Sequence, residues 1–415
     1  MRIPGTTLSA GDFRLLLPIL LSQGFGLACG VAGVALISAW VAPGDYGIFG
    51  VFVTIAPLGA TVVYAGLVRF VARHWRGSTE RARLLREVLR SAARKSVWIA
   101  AAAVVATLLI APGNPFAFGV LLFASAVLTG LLQFSQSALQ SSREHWRDLA
   151  ISAPSSLVRS FAPALLYAAT GWGILALLLG FTAYGAVGTA LGALGLRRYW
   201  HVTTTAGSRV LTPEYDGPRF VVLAIAAWVM TGLHRWIVAW QFGAESAGYF
   251  TLGANVGGIL PTMLGMALMQ FQQPQWFAAA ANDSADARRR LFRTIDRQAL
   301  GFTAASVLAA ALVQAIMPVL IGTLVGARYA NASAFVLAAG CAATALIIGS
   351  FYHTGLIAVH RERACTAADL SGATLLAIGA LVSARIGMDW FVRWLVVSPL
   401  VPWLVNRRVA WRAIA

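Results

Sequence analysis

Charged residues are scarce in this 415-residue chain, where they make up 11% of the sequence against 59% hydrophobic residues. A soluble protein of ordinary composition carries about 25% charged residues. With a mean hydropathy of +0.73, the chain has too much apolar surface for one aqueous core. The composition therefore predicts an integral membrane protein.

Acidic residues are rarer than basic ones, at 15 against 32, and the formal net charge is +17. In a soluble protein such an excess would suggest a nucleic-acid partner. In a membrane protein the same excess follows from the positive-inside rule and from anionic lipid. We therefore expect membrane lipids, and no nucleic acid, as charged partners.

Motifs that carry catalysis are missing. The single lysine, Lys95, lacks the glycine loop that cradles phosphates, and the chain has no His-Glu-x-x-His, no Cys-x-x-Cys pair and no nucleophile elbow with partners. The three cysteines (Cys29, Cys341 and Cys365) show no metal spacing and are interpreted as small apolar fillers. The sequence predicts no enzyme, no cofactor and no metal.

Long apolar runs dominate what is present. The first run follows Arg2 and Arg14 and is too long for a cleaved signal peptide, so it is interpreted as a retained span. A membrane span needs about 20 apolar residues. Twelve windows qualify, which predicts an all-α protein with twelve transmembrane helices. They lie near 15–41, 47–70, 97–112, 116–139, 149–170, 172–195, 220–241, 246–271, 299–324, 331–358, 365–384 and 388–405.

The basic residues assign an orientation to these spans. With the N-terminus inside, 27 of the 32 fall on inner segments, and only Arg328 and Arg385 fall on outer joints. This asymmetry predicts a multi-pass membrane protein with both termini in the cytoplasm. The outer joints are short, so we expect no periplasmic domain. The polar segment 78–96, with Ser78 as its N-cap, has helical spacing and is interpreted as an amphipathic helix on the inner surface.

One joint recurs about 200 residues later. The segment AWVAPGDYGIF at 39–49 is echoed by AWQFGAESAGYF at 239–250. An offset near half the chain length indicates two copies of one unit. Both joints lie on the outer side, so we predict parallel repeats related by a pseudo-two-fold axis along the membrane normal. The predicted lobes are residues 1–196 and 219–415, joined by a cytoplasmic linker at 197–218. Asp45 and Glu245 are interpreted as residues that cap the next helix.

Arginine persists at membrane depth, although nearly all acids map to loops or span ends. Arg159 lies near the middle of span 5, and Arg235 lies in the outer part of span 7. A charge at the bilayer centre costs about 2.5 to over 10 kcal/mol, so a cavity with an anionic ligand is expected. The alternative for Arg159 is a bond to helix carbonyls freed by Pro154 and Pro163, and for Arg235 it is snorkelling to the outer interface. Arg69 and Arg393 are interpreted as interfacial.

Amide side chains predict a wet cavity. Gln133, Gln136 and Gln140 recur at i, i+3 and i+7 on one face of span 4, and Gln23 lies on a face of small residues in span 1. His353 in span 10 is interpreted as hydrogen-bonded packing.

Short stretches spread over most of the chain resemble the Wzx-type polysaccharide-unit flippases of the multidrug/oligosaccharidyl-lipid/polysaccharide (MOP) exporter superfamily. They are APGDYGIF at 42–49, GLVRF at 66–70, HRWIV at 234–238, GYF at 248–250 and GARYA at 326–330. The resemblance implies two six-helix lobes around a central cavity, an isoprenoid-diphosphate-linked oligosaccharide as cargo, and an inward/outward rocking cycle. It also implies a cavity arginine, a role that Arg235 fits best.

The resemblance further implies a polysaccharide polymerase and a chain-length regulator as candidate partners.

Two related functions stay open. A MATE-like drug or cation antiporter would require a buried acid that spans 1 to 6 do not offer at depth. A peptidoglycan-precursor flippase would share the cationic cavity and usually carries additional spans.

Overall fold

A computed structural model describes residues 10–75, 81–110, 114–200, 217–280 and 284–414. These residues are helical almost throughout and contain no strand. The helices are α1 (Ala10–Trp40), α2 (Pro43–His74), α3 (Arg81–Ile110), α4 (Pro115–Ser141), α5 (His145–Thr170), α6 (Ile174–Leu196), α7 (Gly217–Thr231), α8 (Leu233–Ala280), α9 (Ala285–Thr323), α10 (Val336–Ala358), α11 (Glu362–Ile386), α12 (Met388–Val397) and α13 (Leu400–Ile414). Short 3-10 helices cover Arg197–Tyr199 and Ala327–Phe335.

These helices correspond to the twelve predicted spans. Ten described segments are long and apolar enough to cross a membrane. The second span is α2, and the seventh is α7 continued into α8 as far as Gly243. Gly243 has φ 86° and ψ 167°, so it breaks α8, and the remainder of α8 is the eighth span. The last span combines α12 and α13. The predicted all-α, twelve-helix architecture is confirmed.

Segment 78–96 differs from its prediction. Residues 81–110 form one continuous helix, so the polar segment and the third span are not separate elements. Thirty residues extend roughly 45 Å, more than the ~30 Å hydrocarbon core. Leu84, Leu85 and Val88 are buried in the core that contains Trp75 and Tyr199. The apolar face of this segment therefore packs on the protein, and the surface-lying interpretation was wrong. Ser78 lies outside the described residues.

The described residues form two compact units. The first comprises residues up to 33 and from 55 to 217, and the second comprises residues 34–54 and those from 218 onwards. The C-terminal end of α1 and the first turns of α2 thus pack with the C-terminal half. The lobe boundaries drawn from the sequence remain a prediction. Of the predicted linker, residues 197–199 form a 3-10 turn, whereas 201–216 lie outside the described residues.

In the first unit, glycines of α6 allow the helices to approach closely. A methyl group at Gly180 would overlap the backbone of Pro163 in α5, and one at Gly192 would lie 2.6 Å from Ser135 Oγ in α4. Small residues serve this purpose in membrane helices, because helix association there depends on packing and not on expulsion of water. The α6 glycines thus place α4 and α5 on either side of α6.

In the second unit, the joint at 39–49 packs on its own echo. A methyl group at Gly47 would overlap the carbonyl oxygen of Ala244, and one at Gly248 would overlap the carbonyl oxygen of Pro43. Gly47 corresponds to Gly248 in the recurrence, and each of them meets the residue four positions before its counterpart. The two contacts are therefore equivalent, as in an isologous two-fold interface. Gly50 lies against Thr251, its own counterpart with the same spacing as Gly47 and Gly248. This reciprocity supports the predicted duplication.

The two acids of the joints differ in their roles. Asp45 lies in the first turn of α2, the position at which an acid favours a helix N-terminus. Glu245 instead accepts a hydrogen bond from the hydroxyl of Tyr249, one helical turn later. The predicted capping role fits the position of Asp45, whereas Glu245 pairs with a side chain of its own helix.

We predict that Gly248→Ala destabilises the protein by about 3 kcal/mol, the upper end of the range for overpacking, because the added methyl meets a backbone carbonyl that cannot rotate away. Gly44→Ala is the matched control, since a methyl there has nothing within 4 Å. The measurement is the unfolding temperature of the full-length protein in detergent. Equal unfolding temperatures for the two variants would contradict the close contact.

Candidate functional site

Arg159 lies 14 residues after the start of α5 and 11 before its end, close to the middle of the helix. Its side chain is exposed, and its guanidinium carbon lies 5.7 Å from the ring centroid of Tyr184 in α6. Among the described residues it forms no ion pair and no bond to a freed carbonyl. The structural alternative considered from the sequence is therefore not observed.

Arg159 lies on a different face of α5 from the exposed leucines of that helix. Leu157 and Leu165 are 47% and 49% exposed, as expected of side chains that face acyl chains. At 100° per residue, they lie about 160° and 120° around the helix from Arg159. Ser152 and Ser156 lie about 20° and 60° from it. The guanidinium thus shares the polar face of α5.

That polar face meets α1. The hydroxyls of Ser22 and Ser152 are 2.9 Å apart, and Ser156 Oγ lies 3.7 Å from where a methyl at Gly26 would stand. Gln23 follows Ser22 on α1 and is half-buried. Arg159 and Gln23 thus lie on adjacent helices of the first unit, beside a contact made by hydroxyls and a glycine.

The predicted glutamine stripe on α4 divides into two parts. Gln133 and Gln136 are half-buried, whereas Gln140 is exposed. Gln140 donates through Nε2 to a carboxylate oxygen of Asp148 at 2.9 Å, close to the turn between α4 and α5. Gln140 therefore has a local structural partner, and the two other glutamines remain the better candidates for ligand contacts.

A groove with a volume of about 680 Å³ lies where α5 begins and α6 ends, the inner ends of both helices in the predicted topology. Glu144 pairs with Arg147 at 3.0 Å and also with Arg198. Glu144 thus pairs with two arginines, and Arg197 adds a third guanidinium to the lining, so the groove is cationic over an apolar floor. Its lining residues are Arg147, Ala150, Ile151, Leu191, Leu194, Gly195, Arg197 and Arg198.

In the second unit, Arg235 is hydrogen-bonded to Asn255, which is in turn bonded to Tyr46 of α2. Its Nη2 donates to Asn255 Oδ1 at 3.1 Å, and Asn255 Nδ2 donates to the hydroxyl of Tyr46 at 2.6 Å. The half-buried guanidinium is therefore oriented by an amide, as snorkelling alone would not require. An oriented guanidinium has lost part of its rotamer freedom before a ligand arrives.

Two tryptophans near Arg235 were missed in the sequence. Trp228 and Trp236 meet edge to face with centroids 6.2 Å apart. Trp236 Nε1 donates to Thr54 Oγ1 at 3.1 Å, and Trp228 Nε1 donates to the carbonyl oxygen of Thr54 at 3.2 Å. The available signals were the Arg-Trp dipeptide at 235–236 and a lone asparagine, Asn255, within an apolar span.

The fold is similar to that of several solved membrane proteins. The chain is similar to an outward-facing multidrug resistance MATE family transporter of the MOP superfamily, with TM-score 0.62 and 12% identity over 97% of this chain and 95% of that one. A Vibrio cholerae MATE transporter gives 0.61 and 16%, over 97% and 95%. The lipid II flippase MurJ, inward closed, gives 0.59 and 12%, over 95% and 86%. At these identities the likeness establishes the fold alone.

The sequence itself places the chain in a family. Residues 40–334 match the model of the polysaccharide biosynthesis proteins, and the chain belongs to that family. No curated protein matches it in sequence. It is thus a multi-pass membrane protein of the polysaccharide biosynthesis family whose fold is similar to that of the MATE proteins.

The two faces of α5 can be distinguished chemically. In a cysteine-free background, we predict that Arg159→Cys in proteoliposomes reacts with a charged, water-soluble thiol reagent, because its face is polar. Leu157→Cys, two residues away on the apolar face, should stay unmodified, since neither thiolate nor reagent enters hydrocarbon. The measurement is the mass shift of the labelled protein. Labelling of Leu157→Cys alone would place Arg159 in lipid.

Proposed function

We propose that this protein is a flippase, which moves an isoprenoid-diphosphate-linked oligosaccharide from the cytoplasmic to the periplasmic leaflet. The observation that carries the proposal is Arg159, a cation at the middle of a membrane helix, on a polar face and without an ion-pair partner among the described residues. Membership in the polysaccharide biosynthesis family supports this class of cargo.

Arginine is well suited to bind the diphosphate of such a cargo. A guanidinium offers planar, paired donors that match phosphate oxygens, and it stays charged at membrane depth. Arg159 is available in the first unit and Arg235 in the second. The cationic groove at Arg147, Arg197 and Arg198 adds a place for the head group at the inner ends of α5 and α6.

Amides, hydroxyls and aromatic rings are the side-chain groups that would bind the sugars. Gln23, Gln133 and Gln136 supply half-buried amides, and Gln140 supplies an exposed one. Trp228 and Trp236 supply aromatic surface of the kind on which the C–H face of a sugar ring packs. Amphipathic rings and a few placed polar groups are the usual composition of a ligand site.

The transport step breaks no covalent bond. The lipid tail stays in the bilayer while the head group crosses by alternating access between inward- and outward-open states. Both termini lie in the cytoplasm, and the membrane is a bacterial inner membrane. The cargo would then pass to a polysaccharide polymerase and its chain-length regulator. No cofactor, metal or catalytic residue is needed for this step.

The two alternatives differ in what the cargo requires. A MATE-like antiporter couples a drug to a cation, and a buried carboxylate would have to bind that cation. The described parts of α1 to α6 carry their acids at the helix ends, as at Asp45 and Asp148. A peptidoglycan-precursor flippase shares the diphosphate, so only the sugars distinguish it. A drug-resistance phenotype driven by an ion gradient would favour the antiporter.

Substitution of the arginines tests the site. We predict that Arg159→Ala lowers surface polysaccharide roughly 10- to 150-fold, because a charge-assisted bond contributes about 1.5–3 kcal/mol and each 1.4 kcal/mol is a factor of ten. Arg235→Ala should act in the same direction, and Arg159→Lys should retain part of the activity through its charge. The measurement is polysaccharide at equal membrane protein level.

Arg393→Ala is the matched control for these substitutions. Arg393 also lies in a span, but it is exposed and rests over the ring of Trp390 at 5.2 Å, as expected of an interfacial side chain. Full polysaccharide in both Arg159→Ala and Arg159→Lys would show that Arg159 is not a ligand.

Reconstitution tests the reaction class. In liposomes with a labelled lipid-linked oligosaccharide, the purified protein should change the leaflet of the label and leave its mass unchanged. The readout is accessibility of the label to an added sugar-modifying enzyme, followed by mass spectrometry of the lipid. A new glycosidic bond would contradict a flippase.

A further inference from the structure

Three side chains with metal-ligating atoms meet between α10 and α11, outside the residues discussed above. His353 Nδ1 lies 2.7 Å from Asp369 Oδ2, and Cys365 Sγ lies 4.0 Å from the same oxygen. All three ligand atoms fall within 4.8 Å of one another. The predicted hydrogen-bonded role of His353 is thus observed, and its partner is Asp369.

The backbone presents these ligands from a rigid hairpin. Cys365 and Asp369 are four residues apart, so they lie on one face of the first turns of α11, the spacing at which helices present paired metal ligands. Only residues 359–361 separate α10 from α11, and Arg361 N closes the turn on the carbonyl oxygen of Leu356 at 2.8 Å. His353 therefore faces α11 without depending on a long loop.

The distances between the three ligand atoms are close to those around a tetrahedral ion. Zinc binds imidazole and carboxylate at about 2.0–2.2 Å and thiolate at about 2.3 Å, which puts neighbouring ligand atoms roughly 3.3–3.8 Å apart. The present separations of 2.7 and 4.0 Å lie on either side of that range. Shifts of several tenths of an ångström would bring these two pairs into it, and the third pair, His353 and Cys365, lies within 4.8 Å and would close by up to about 1 Å.

The charges also fit. Asp369 and Cys365 are 9% and 2% exposed, and a buried carboxylate has to be paired or coordinate a metal. A divalent ion with one thiolate and one carboxylate forms a neutral unit, which suits this burial. The thiolate selects a zinc-type ion over magnesium or calcium. The half-buried His353 leaves the fourth position for water.

We propose that His353, Cys365 and Asp369 bind one zinc-type divalent ion, which fastens α10 to α11 near their turn. The site is independent of the proposed transport function, since none of its three residues is assigned to the cargo. Three protein ligands and one open position also match the coordination of zinc sites that exchange their fourth ligand.

Cobalt(II) is the spectroscopic probe for this site. The full-length protein, purified in detergent with a histidine-free tag, should bind one Co²⁺ with a thiolate-to-metal charge-transfer band and the visible bands of a four-coordinate ion. Added Zn²⁺ should abolish both. Cys365→Ser should lose the charge-transfer band, and Asp369→Asn and His353→Gln should weaken Co²⁺ binding by more than the roughly 10–100-fold that loss of a supporting residue costs.

The chain's two other cysteines provide the control. Cys29→Ser combined with Cys341→Ser leaves Cys365 as the single thiol of the chain and should keep the band. Both replaced cysteines are buried, so the double variant also reports on folding. Absence of the band in this variant when its unfolding temperature is unchanged would overturn the proposal. So would a band in Cys365→Ser, or Co²⁺ binding with no thiolate band in the native protein.

Discussion

The absence of water from the bilayer core is the constraint on which this structure depends. A polar group there has to be satisfied by the protein, which explains why the described residues are helical almost throughout. Buried hydroxyls follow the same requirement: Thr107, Thr182 and Thr344 each donate to the carbonyl oxygen four residues earlier in the same helix. These hydroxyls thus satisfy their hydrogen bonds within their own helices. A polar side chain without such a local partner indicates a role beyond the fold.

Charges that serve the fold are paired at helix ends. In the first unit, Glu144 joins the start of α5 to Arg198 and Tyr199 after α6. In the second unit, Asp296 accepts from Tyr352 at 2.5 Å, Arg407 at 3.1 Å and Trp411 at 3.0 Å, so it ties α9 to α10 and α13. Each acid anchors the final helical segment of its own unit. Arg159 has no such partner among the described residues, and this contrast makes a structural explanation of its charge difficult.

Much of the architecture was predictable because hydropathy and charge act over whole segments. Span number and helical class depend on some twenty residues at a time, so a few exceptions such as Gly243 do not change them. Side-chain neighbours depend on three-dimensional packing. The spacing of His353, Cys365 and Asp369 matches no short motif, and only the hairpin brings them together. Asn255 and Trp228 were missed for the same reason, since their partners Tyr46 and Thr54 lie about 170–210 residues away in the chain. The continuity of α3 was not predicted, because an amphipathic sequence pattern is the same for a helix on the membrane surface and for the polar start of a longer helix.

The packing of the joint at residues 39–49 on its echo also affects the position of Arg235. Its glycines permit contact with the echo at 239–250, and the same packing brings Tyr46 within 2.6 Å of Asn255. Asn255 in turn orients Arg235. The close backbone contact between the two joints, where no side chain fits, therefore helps to position Arg235 through the amide of Asn255. Ligand transport requires binding that is strong enough to capture and weak enough to release. Arg235 is thus oriented by an amide before any ligand binds, whereas Arg159 has no ion-pair partner among the described residues and contacts only the ring of Tyr184. The two arginines therefore differ in the rotamer freedom that each would lose on binding an anion.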